Sequence, residues 1–366
     1  MVQEVTGTLS TAVHGVTGTR YPALRCSLPG MRAAEHGITI GQRPPGHGNA
    51  ITDVPGVLVG HANHRPDHTG VTAIVPRAGS DAWLEPYFAG AACLNGAGEI
   101  AGLAQIEEWG FAETPIFLTG TPYVGAVYDA ATIALSEAQP RIGRDDVIIP
   151  VVAECDPSGV CDVRTGPRPD VALVKQALAA ASDDVPLEGQ IGAGVGMQCF
   201  DWAGGIGTAS RQAGAYTVGV LLLVNFGDGP ELRIAGRQVG HLITPAPARG
   251  REGSCACIVA TDAPLLPSQL TRLARRPFLG LARTGSYGSN GSGEVAVAFS
   301  TANVSALRRD EPATSVAVEM LRNDHLNDLF AAATDAAEEA VLNALFAGRG
   351  LEGAVRSLLP FPSDRV

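Results

Sequence analysis

Two serines and a carboxylate in the last third of the chain could form a hydrolytic site. Ser254, preceded by Gly253, stands at the head of an apolar run that ends at Ala260, and Ser292 and Glu294 open a second, alternating run. Both runs are predicted to be strands, so the three polar side chains lie at strand ends. A turn before a strand and a Gly/Ser linker produce the same pattern, so spacing alone leaves a structural role open.

A serine hydroxyl is a weak nucleophile until a base takes its proton. The single lysine, Lys175, lies in a predicted helix without a neighbouring motif, and His241 and His325 stand in no recognisable catalytic pattern. The Gly-x-Ser-x-Gly elbow of other serine hydrolases is absent around Ser254. The remaining base is a free α-amine on Ser254 itself, with an ordinary pKa of about 8. This base requires cleavage of the Gly253–Ser254 bond.

Glycine suits the residue before the cleaved bond. Because Gly253 has no Cβ, it tolerates strained backbone and lets the Ser254 hydroxyl approach its carbonyl. An N-to-O acyl shift would give an ester, and water would then release Ser254 as a new N-terminus. The expected products are residues 1–253 and 254–366.

The composition predicts a globular protein with a substantial core. The 366 residues are 45% hydrophobic and 17% charged, with a net charge of −11 that argues against a nucleic-acid partner. No signal peptide and no bilayer-length apolar run is evident, so a cytoplasmic protein without a membrane partner is expected. Seven cysteines in apolar segments are typical of reduced thiols, and their spacing predicts no metal site.

Strand-like and helix-like segments are interleaved along the chain, which predicts an α/β or α+β fold. Residues 1–31 lack apolar periodicity and are expected to form a poorly ordered extension, followed by a single domain over residues 32–366. The predicted segments include a strand-turn-strand from Ile51 to His61, strands at 71–75, 147–154 and 218–224, and helices at 124–135, 171–181, 316–321 and 326–346.

Two further patterns resemble ligand sites but favour other interpretations. His61, His64 and His68 cluster around Pro66, which breaks any helix that could align them, so a surface loop is predicted. The glycine-rich run 192–196 has no clear βαβ unit around it, so no nucleotide cofactor is predicted.

The stretch GSCACIVATDAPLLPSQLTRLARRPFLGLARTGSYGSNGSGEVAVAFSTAN, residues 253–303, resembles the DmpA-type (P1 family) aminopeptidases. These are self-cleaving serine hydrolases that include the β-peptidyl aminopeptidases. The resemblance extends through residues 50–61, 94–111, 204–211 and 218–227, and covers nearly the whole chain from about Arg32. It implies a four-layer αββα sandwich similar to the N-terminal-nucleophile hydrolases but differently connected. It also implies a homo-oligomer of cleaved protomers.

The resemblance implies a role for each matching residue. The nucleophile is Ser254, the proton network is Ser292 with Glu294, the oxyanion donor is Asn225, and the acceptor of the substrate's amino group is Glu154. The chain departs from the family at Asp156, where an aromatic residue is common. We expect Asp156 to add negative charge to the substrate site or to cap a turn. Tyr123 and Tyr128 are conceivable substitutes for the aromatic residue.

Three functions remain in view. The first is an aminopeptidase or amidase that releases small N-terminal α- or β-amino acids from small peptides or aminoacyl amides. The second is a self-cleaving acyltransferase of the ornithine-acetyltransferase kind, which cleaves before a threonine and is disfavoured by Ser254. The third is a non-catalytic scaffold in which Ser254 is a buried strand residue.

Overall fold

The computed structural model describes residues 32–64, 69–79, 81–157, 164, 167–243, 253–348, 350–355 and 358. The extension predicted over residues 1–31 lies outside these ranges. Within them, the strands are β1 (Leu58–His64), β2 (Thr69–Val75), β3 (Tyr87–Gly96), β4 (Ile100–Ala101), β5 (Phe111–Ala112), β6 (Ile116–Gly120), β7 (Val151–Cys155), β8 (Gln198–Cys199), β9 (Trp202–Ala203), β10 (Gly205–Ala213), β11 (Tyr216–Asn225), β12 (Arg233–Ile234), β13 (Arg237–Gln238), β14 (Ser254–Thr261) and β15 (Gly293–Ser300). The helices are α1 (Leu103–Trp109), α2 (Val124–Ala138), α3 (Val171–Ala179), α4 (Pro267–Ala274), α5 (Pro277–Arg283), α6 (Leu326–Ala347) and α7 (Leu351–Val355).

Two large sheets carry the fold. The first has five strands in the order β1-β2-β6-β7-β4, and the second has six in the order β10-β11-β14-β15-β3-β5. Strands β14 and β15 are parallel neighbours, whereas β11 runs antiparallel to β14. The pairs β8-β9 and β12-β13 form small separate hairpins.

Alternation along the strands produces the layers, because successive side chains point to opposite faces of a sheet. On β11, Leu221 and Leu223 join a core shared with Leu118 of the five-stranded sheet. Val220 and Leu222, which point to the opposite face of β11, pack in a second core that includes much of α6. A third core joins the outer face of the five-stranded sheet to α2 and α3. The layer order is therefore helices, sheet, sheet, helices, which confirms the four-layer fold.

Two predicted elements are wrong. Residues 316–321 form no regular secondary structure and are mostly exposed rather than helical. The Asn303 side chain donates to Glu319 O (3.0 Å) and accepts from Glu319 N–H (2.8 Å), which uses the backbone groups that a helix would need. Ile51–Asp53 forms a 3-10 turn rather than a strand, because the Asp53 carboxylate accepts from Ala50 N–H (3.0 Å) at its start.

The surface loop predicted at the histidine cluster is wrong for His61 and His64, which both lie on β1. His61 lies directly opposite Thr72, and its Nδ1 is 2.9 Å from the Thr72 hydroxyl oxygen. Burial lowers the pKa of His61 to about 4. Residues 65–68 lie outside the described ranges. In the part of the chain that is described, no three His, Cys, Asp or Glu side chains are grouped as metal ligands, and no helix has the length and apolar character to cross a membrane.

Candidate active site

Ser254 is the first residue of β14 and is only 2% exposed. It lies opposite Asn225 at the end of β11 and opposite Gly293 at the start of β15. Its hydroxyl oxygen accepts a hydrogen bond from the backbone N–H of Asp156 (3.1 Å), which follows β7 in the other sheet. The ends of both sheets therefore meet at the Ser254 hydroxyl.

The peptide bond between Gly253 and Ser254 is hydrogen-bonded at its carbonyl oxygen, and the backbone around Gly253 is closely packed. The Gly253 carbonyl oxygen accepts from the N–H of Gly293 (3.1 Å). A Cβ placed on Gly253 would lie 2.1 Å from Asn225 O and 2.5 Å from the Cα of Phe226, closer than packed atoms can approach. Because there is no room for a side chain, glycine is required here for packing as well as for the proposed cleavage chemistry.

Ser292 and Glu294 form a buried pair beside this bond. The Ser292 hydroxyl donates to Glu294 Oε1, and both residues flank Gly293, whose N–H holds the Gly253 carbonyl. Burial raises the pKa of Glu294, and the Ser292 hydrogen bond partly offsets that rise. The second carboxylate oxygen, Oε2, is buried with no hydrogen-bond partner among the described residues. Because burial raises its pKa, this carboxylate is a stronger proton acceptor than an exposed glutamate.

Asn225 is bonded at both ends of its amide. Oδ1 accepts from Gln198 N–H (2.8 Å), which orients the side chain. Nδ2 donates to the carbonyl of Asp156 (2.8 Å). Since the amide group carries two N–H donors, one is left for another acceptor beside Ser254.

Glu154 is buried on β7, and each of its carboxylate oxygens is held by a different segment. Oε1 accepts from Glu99 N–H (2.9 Å), and Oε2 accepts from the hydroxyl of Thr121. Burial raises the pKa of Glu154; the two hydrogen bonds lower it, and the negative charges of Asp156 and Glu99 raise it further. A buried carboxylate with acidic neighbours attracts a cation strongly.

The side chain of Asp156 is exposed, and its backbone contacts two residues of the candidate site. The N–H of Asp156 contacts Ser254 and its carbonyl contacts Asn225. The carboxylate acts through its charge, which contributes to the raised pKa of Glu154. These backbone contacts do not require an aromatic side chain at position 156.

Sequence reasoning missed Thr121. It follows β6, and β6 pairs with β7 so that Thr119 lies opposite Glu154. No motif links residues 121 and 154 in the sequence. The only available signal is that an apolar strand, residues 116–119, ends just before a hydroxyl residue.

Comparison with known proteins gives a consistent assignment. A model of peptidase family S58 matches residues 49–357. The chain is 39% identical over 359 residues to the β-peptidyl aminopeptidase BapA of Sphingosinicella microcystinivorans, covering 89% of this chain and 88% of that protein.

Solved structures agree. A Burkholderia sp. β-aminopeptidase has a TM-score of 0.82 and 42% identity, covering 89% of this chain and 99% of that chain. The L-aminopeptidase D-Ala-esterase/amidase of Ochrobactrum anthropi, described as a variant of the Ntn hydrolase fold, has a TM-score of 0.79 and 34% identity, covering 89% and 98%. The acyltransferase alternative is not favoured by these relatives. The resemblance to the DmpA-type aminopeptidases is confirmed: the chain belongs to peptidase family S58 and is a hydrolase of the aminopeptidase and amidase class.

Proposed function

We propose that this hydrolase cleaves its own Gly253–Ser254 bond and then uses Ser254 to release small N-terminal α- or β-amino acids from peptides, amides or esters. The observation that carries the proposal is the hydrogen bond from Gly293 N–H to the Gly253 carbonyl oxygen. It polarises the carbonyl of the bond to be cleaved, beside a buried hydroxyl and a buried carboxylate.

Self-cleavage begins with attack of the Ser254 hydroxyl oxygen on the Gly253 carbonyl carbon. The hydroxyl proton passes through the Ser292–Glu294 pair to the departing nitrogen as the C–N bond breaks. The product is an ester between Gly253 and the Ser254 oxygen, with a free amine on Ser254. Water hydrolyses that ester, giving a carboxylate on Gly253 and restoring the hydroxyl. The fragments are residues 1–253 and 254–366.

The new α-amine is the base for substrate hydrolysis. It takes the Ser254 proton as the hydroxyl attacks the substrate carbonyl, and it gives the proton to the leaving amine. Water then hydrolyses the acyl-enzyme ester. The Ser292–Glu294 pair serves as the proton network of the amine in both halves of the reaction.

We expect Asn225→Ala to lower kcat on the order of 10²–10³-fold with a small change in KM, because an oxyanion donor acts only when charge develops on the carbonyl oxygen. Steady-state kinetics on an alanyl nitroanilide measure both constants. Gln198→Ala is a suitable control, since the backbone N–H that orients Asn225 is retained. A change confined to KM would make Asn225 a substrate-binding residue instead.

We propose that Glu154 receives the substrate's ammonium group. A buried carboxylate is stabilised by a cationic partner, and the charges of Glu99 and Asp156 strengthen the attraction. Below its raised pKa Glu154 is neutral, so KM for a free-amine substrate should rise as the pH falls through that pKa. The exposed Asp156 carboxylate adds negative charge on the same side and favours small, cationic amino ends.

The test compares an alanyl amide with its N-acetylated counterpart. The parent enzyme should reject the acetylated form, and Glu154→Gln should lose most of that discrimination. Thr121→Val, which keeps the carboxylate but removes a hydrogen bond that lowers its pKa, should retain the discrimination while its rise in KM begins at a higher pH. Equal cleavage of both substrates by the parent would refute the role of Glu154. Including β-alanyl substrates in the same series measures the preference between α- and β-amino acids.

We also propose a cytoplasmic homo-oligomer of cleaved protomers. The five cysteines of the described ranges are all free, which supports a reducing compartment. Sedimentation analysis of the processed protein would measure the molar mass of the assembly. The mass of a single cleaved protomer would contradict the oligomer.

A further inference from the structure

We infer that one short segment, Asn95–Glu99, positions both halves of the candidate active site. Its first residue, Asn95, is hydrogen-bonded to the turn that precedes Ser292. Its last residue, Glu99, donates its backbone N–H to Glu154, and Gly98 has no side chain that would crowd that carboxylate. The segment begins within β3 (Tyr87–Gly96), and residues 95–98 have been given no role so far. The inference rests on the proposed roles of Ser292, Glu294 and Glu154.

The Asn95 side chain is hydrogen-bonded to the turn that precedes Ser292. Its Nδ2 donates to Ser289 O (2.7 Å) and to Asn290 O (3.0 Å). The same Ser289 carbonyl accepts from Ser292 N–H (2.9 Å). Because one carbonyl oxygen joins Asn95 to Ser292, the amide sets where the Ser292 hydroxyl lies.

The register of β3 places Asn95 opposite Glu294. The register between β15 and β3 shifts between Glu294 and Val295. Val295 therefore pairs with Cys93, and Leu94 has no paired residue on β15. Such a bulge re-aims the side chains beside it. A Cβ on Gly288 would lie 3.4 Å from Leu94 Cδ2 and 3.6 Å from Oε2 of Glu294, so the turn at Gly288 lies near both side chains.

The other end of the segment holds Glu154. The backbone N–H of Glu99 donates to its Oε1. A Cβ on Gly98 would lie 3.1 Å from the same oxygen and 3.4 Å from the Cα of Gly293. The first separation is tighter than ordinary contact, so a side chain at position 98 would require the carboxylate to shift by a few tenths of an ångström. Glycine there leaves the space between Glu154 Oε1 and Gly293 free of a side chain from position 98, and Gly293 lies opposite Ser254.

The two ends should therefore control different kinetic constants. Removing the Asn95 hydrogen bonds should displace Ser292 and Glu294, the proposed proton-transfer residues, and so lower kcat and the rate of self-cleavage. Crowding Gly98 misplaces the group that binds the amino end, which affects KM. Asn95 and Gly98 are positioning residues, since neither residue is required to touch the substrate.

The experiment measures self-cleavage by intact mass and steady-state kinetics on an alanyl nitroanilide. We expect Asn95→Ala to lower kcat by about 10²-fold, the effect of a small displacement of catalytic groups, with KM nearly unchanged. Asn95→Gln keeps the amide donors and should recover part of the loss. Gly98→Ala should raise KM by roughly tenfold, as expected for a weakened charged contact, with kcat nearly unchanged.

The matched control is Asn290→Ala. The Asn290 side chain is exposed, and only its backbone carbonyl meets Asn95, so this variant should behave as the parent. If Asn95→Ala does not accumulate as folded protein, Asn95→Asp tests the same loss of donors with a side chain of equal size.

Parental kcat in the Asn95 variants, alongside a strongly impaired Ser292→Ala, would overturn this inference and leave the proposed function intact. Parental activity of Ser292→Ala would remove the proposed role of the pair and the inference with it. Equal losses in both constants without recovery by Asn95→Gln would indicate general destabilisation and also overturn it.

Discussion

Ser254→Ala should remain a full-length chain of 366 residues and lose nearly all activity. Removing the hydroxyl removes the nucleophile of both self-cleavage and hydrolysis, and it prevents formation of the α-amine that serves as base. Loss of a serine nucleophile costs on the order of 10⁶-fold in kcat in well-studied hydrolases. Intact mass spectrometry measures the processing, and nitroanilide hydrolysis measures the activity.

The matched control is Ser268→Ala, which removes an exposed hydroxyl on α4 and should be processed and active like the parent. Gly253→Ala adds an independent check. Its Cβ has no space against Asn225 and Phe226, so the scissile carbonyl should shift and processing should slow. Normal self-processing of purified Ser254→Ala would show that another group cleaves the chain.

Ser292→Ala and Glu294→Gln should each slow both maturation and turnover, since one proton network serves both reactions. General acid–base assistance contributes typically ~10²–10⁴-fold in rate. The Ser292 hydrogen bond lowers the pKa of Glu294 against the effect of burial. Its loss should therefore raise that pKa, so the acidic limb of the pH–kcat profile should move to higher pH in Ser292→Ala.

Glu108→Gln, an exposed carboxylate on α1, is the control for loss of one negative charge. Rates within a few-fold of the parent for both Ser292→Ala and Glu294→Gln would make the pair structural. Slow maturation with normal turnover would restrict the pair to self-cleavage and contradict a shared network.

The sequence predicts several elements at the site because their signals are local. Ser254 opens an apolar run and heads β14, and Glu294 begins an alternating run that becomes β15. Asn225 and Glu154 were predicted at the ends of apolar strands and lie there. Period-two alternation survives in the fold because it matches the two faces of a buried strand.

Other elements depend on distant partners. Residues 316–321 have an apolar pattern that also fits a helix, but hydrogen bonds between Asn303 and Glu319 occupy backbone groups that a helix would need. The histidine cluster around Pro66 predicts a surface loop, yet β1 continues through His61 to His64 and pairs with β2. In both cases a tertiary or cross-strand contact outweighed the local preference.

By itself the sequence determined the family, the layered α/β class and the residues around which the chemistry is proposed. Only the tertiary structure decided which groups contact them: Thr121 and Glu99 on Glu154, Asp156 N–H on Ser254, and Gly293 N–H on the Gly253 carbonyl. Three of these four contacts use backbone N–H groups, which every residue except proline carries, so no residue type marks them in advance. They arise where strand ends distant in sequence meet between two packed sheets, and that meeting depends on strand order and register rather than on any local pattern.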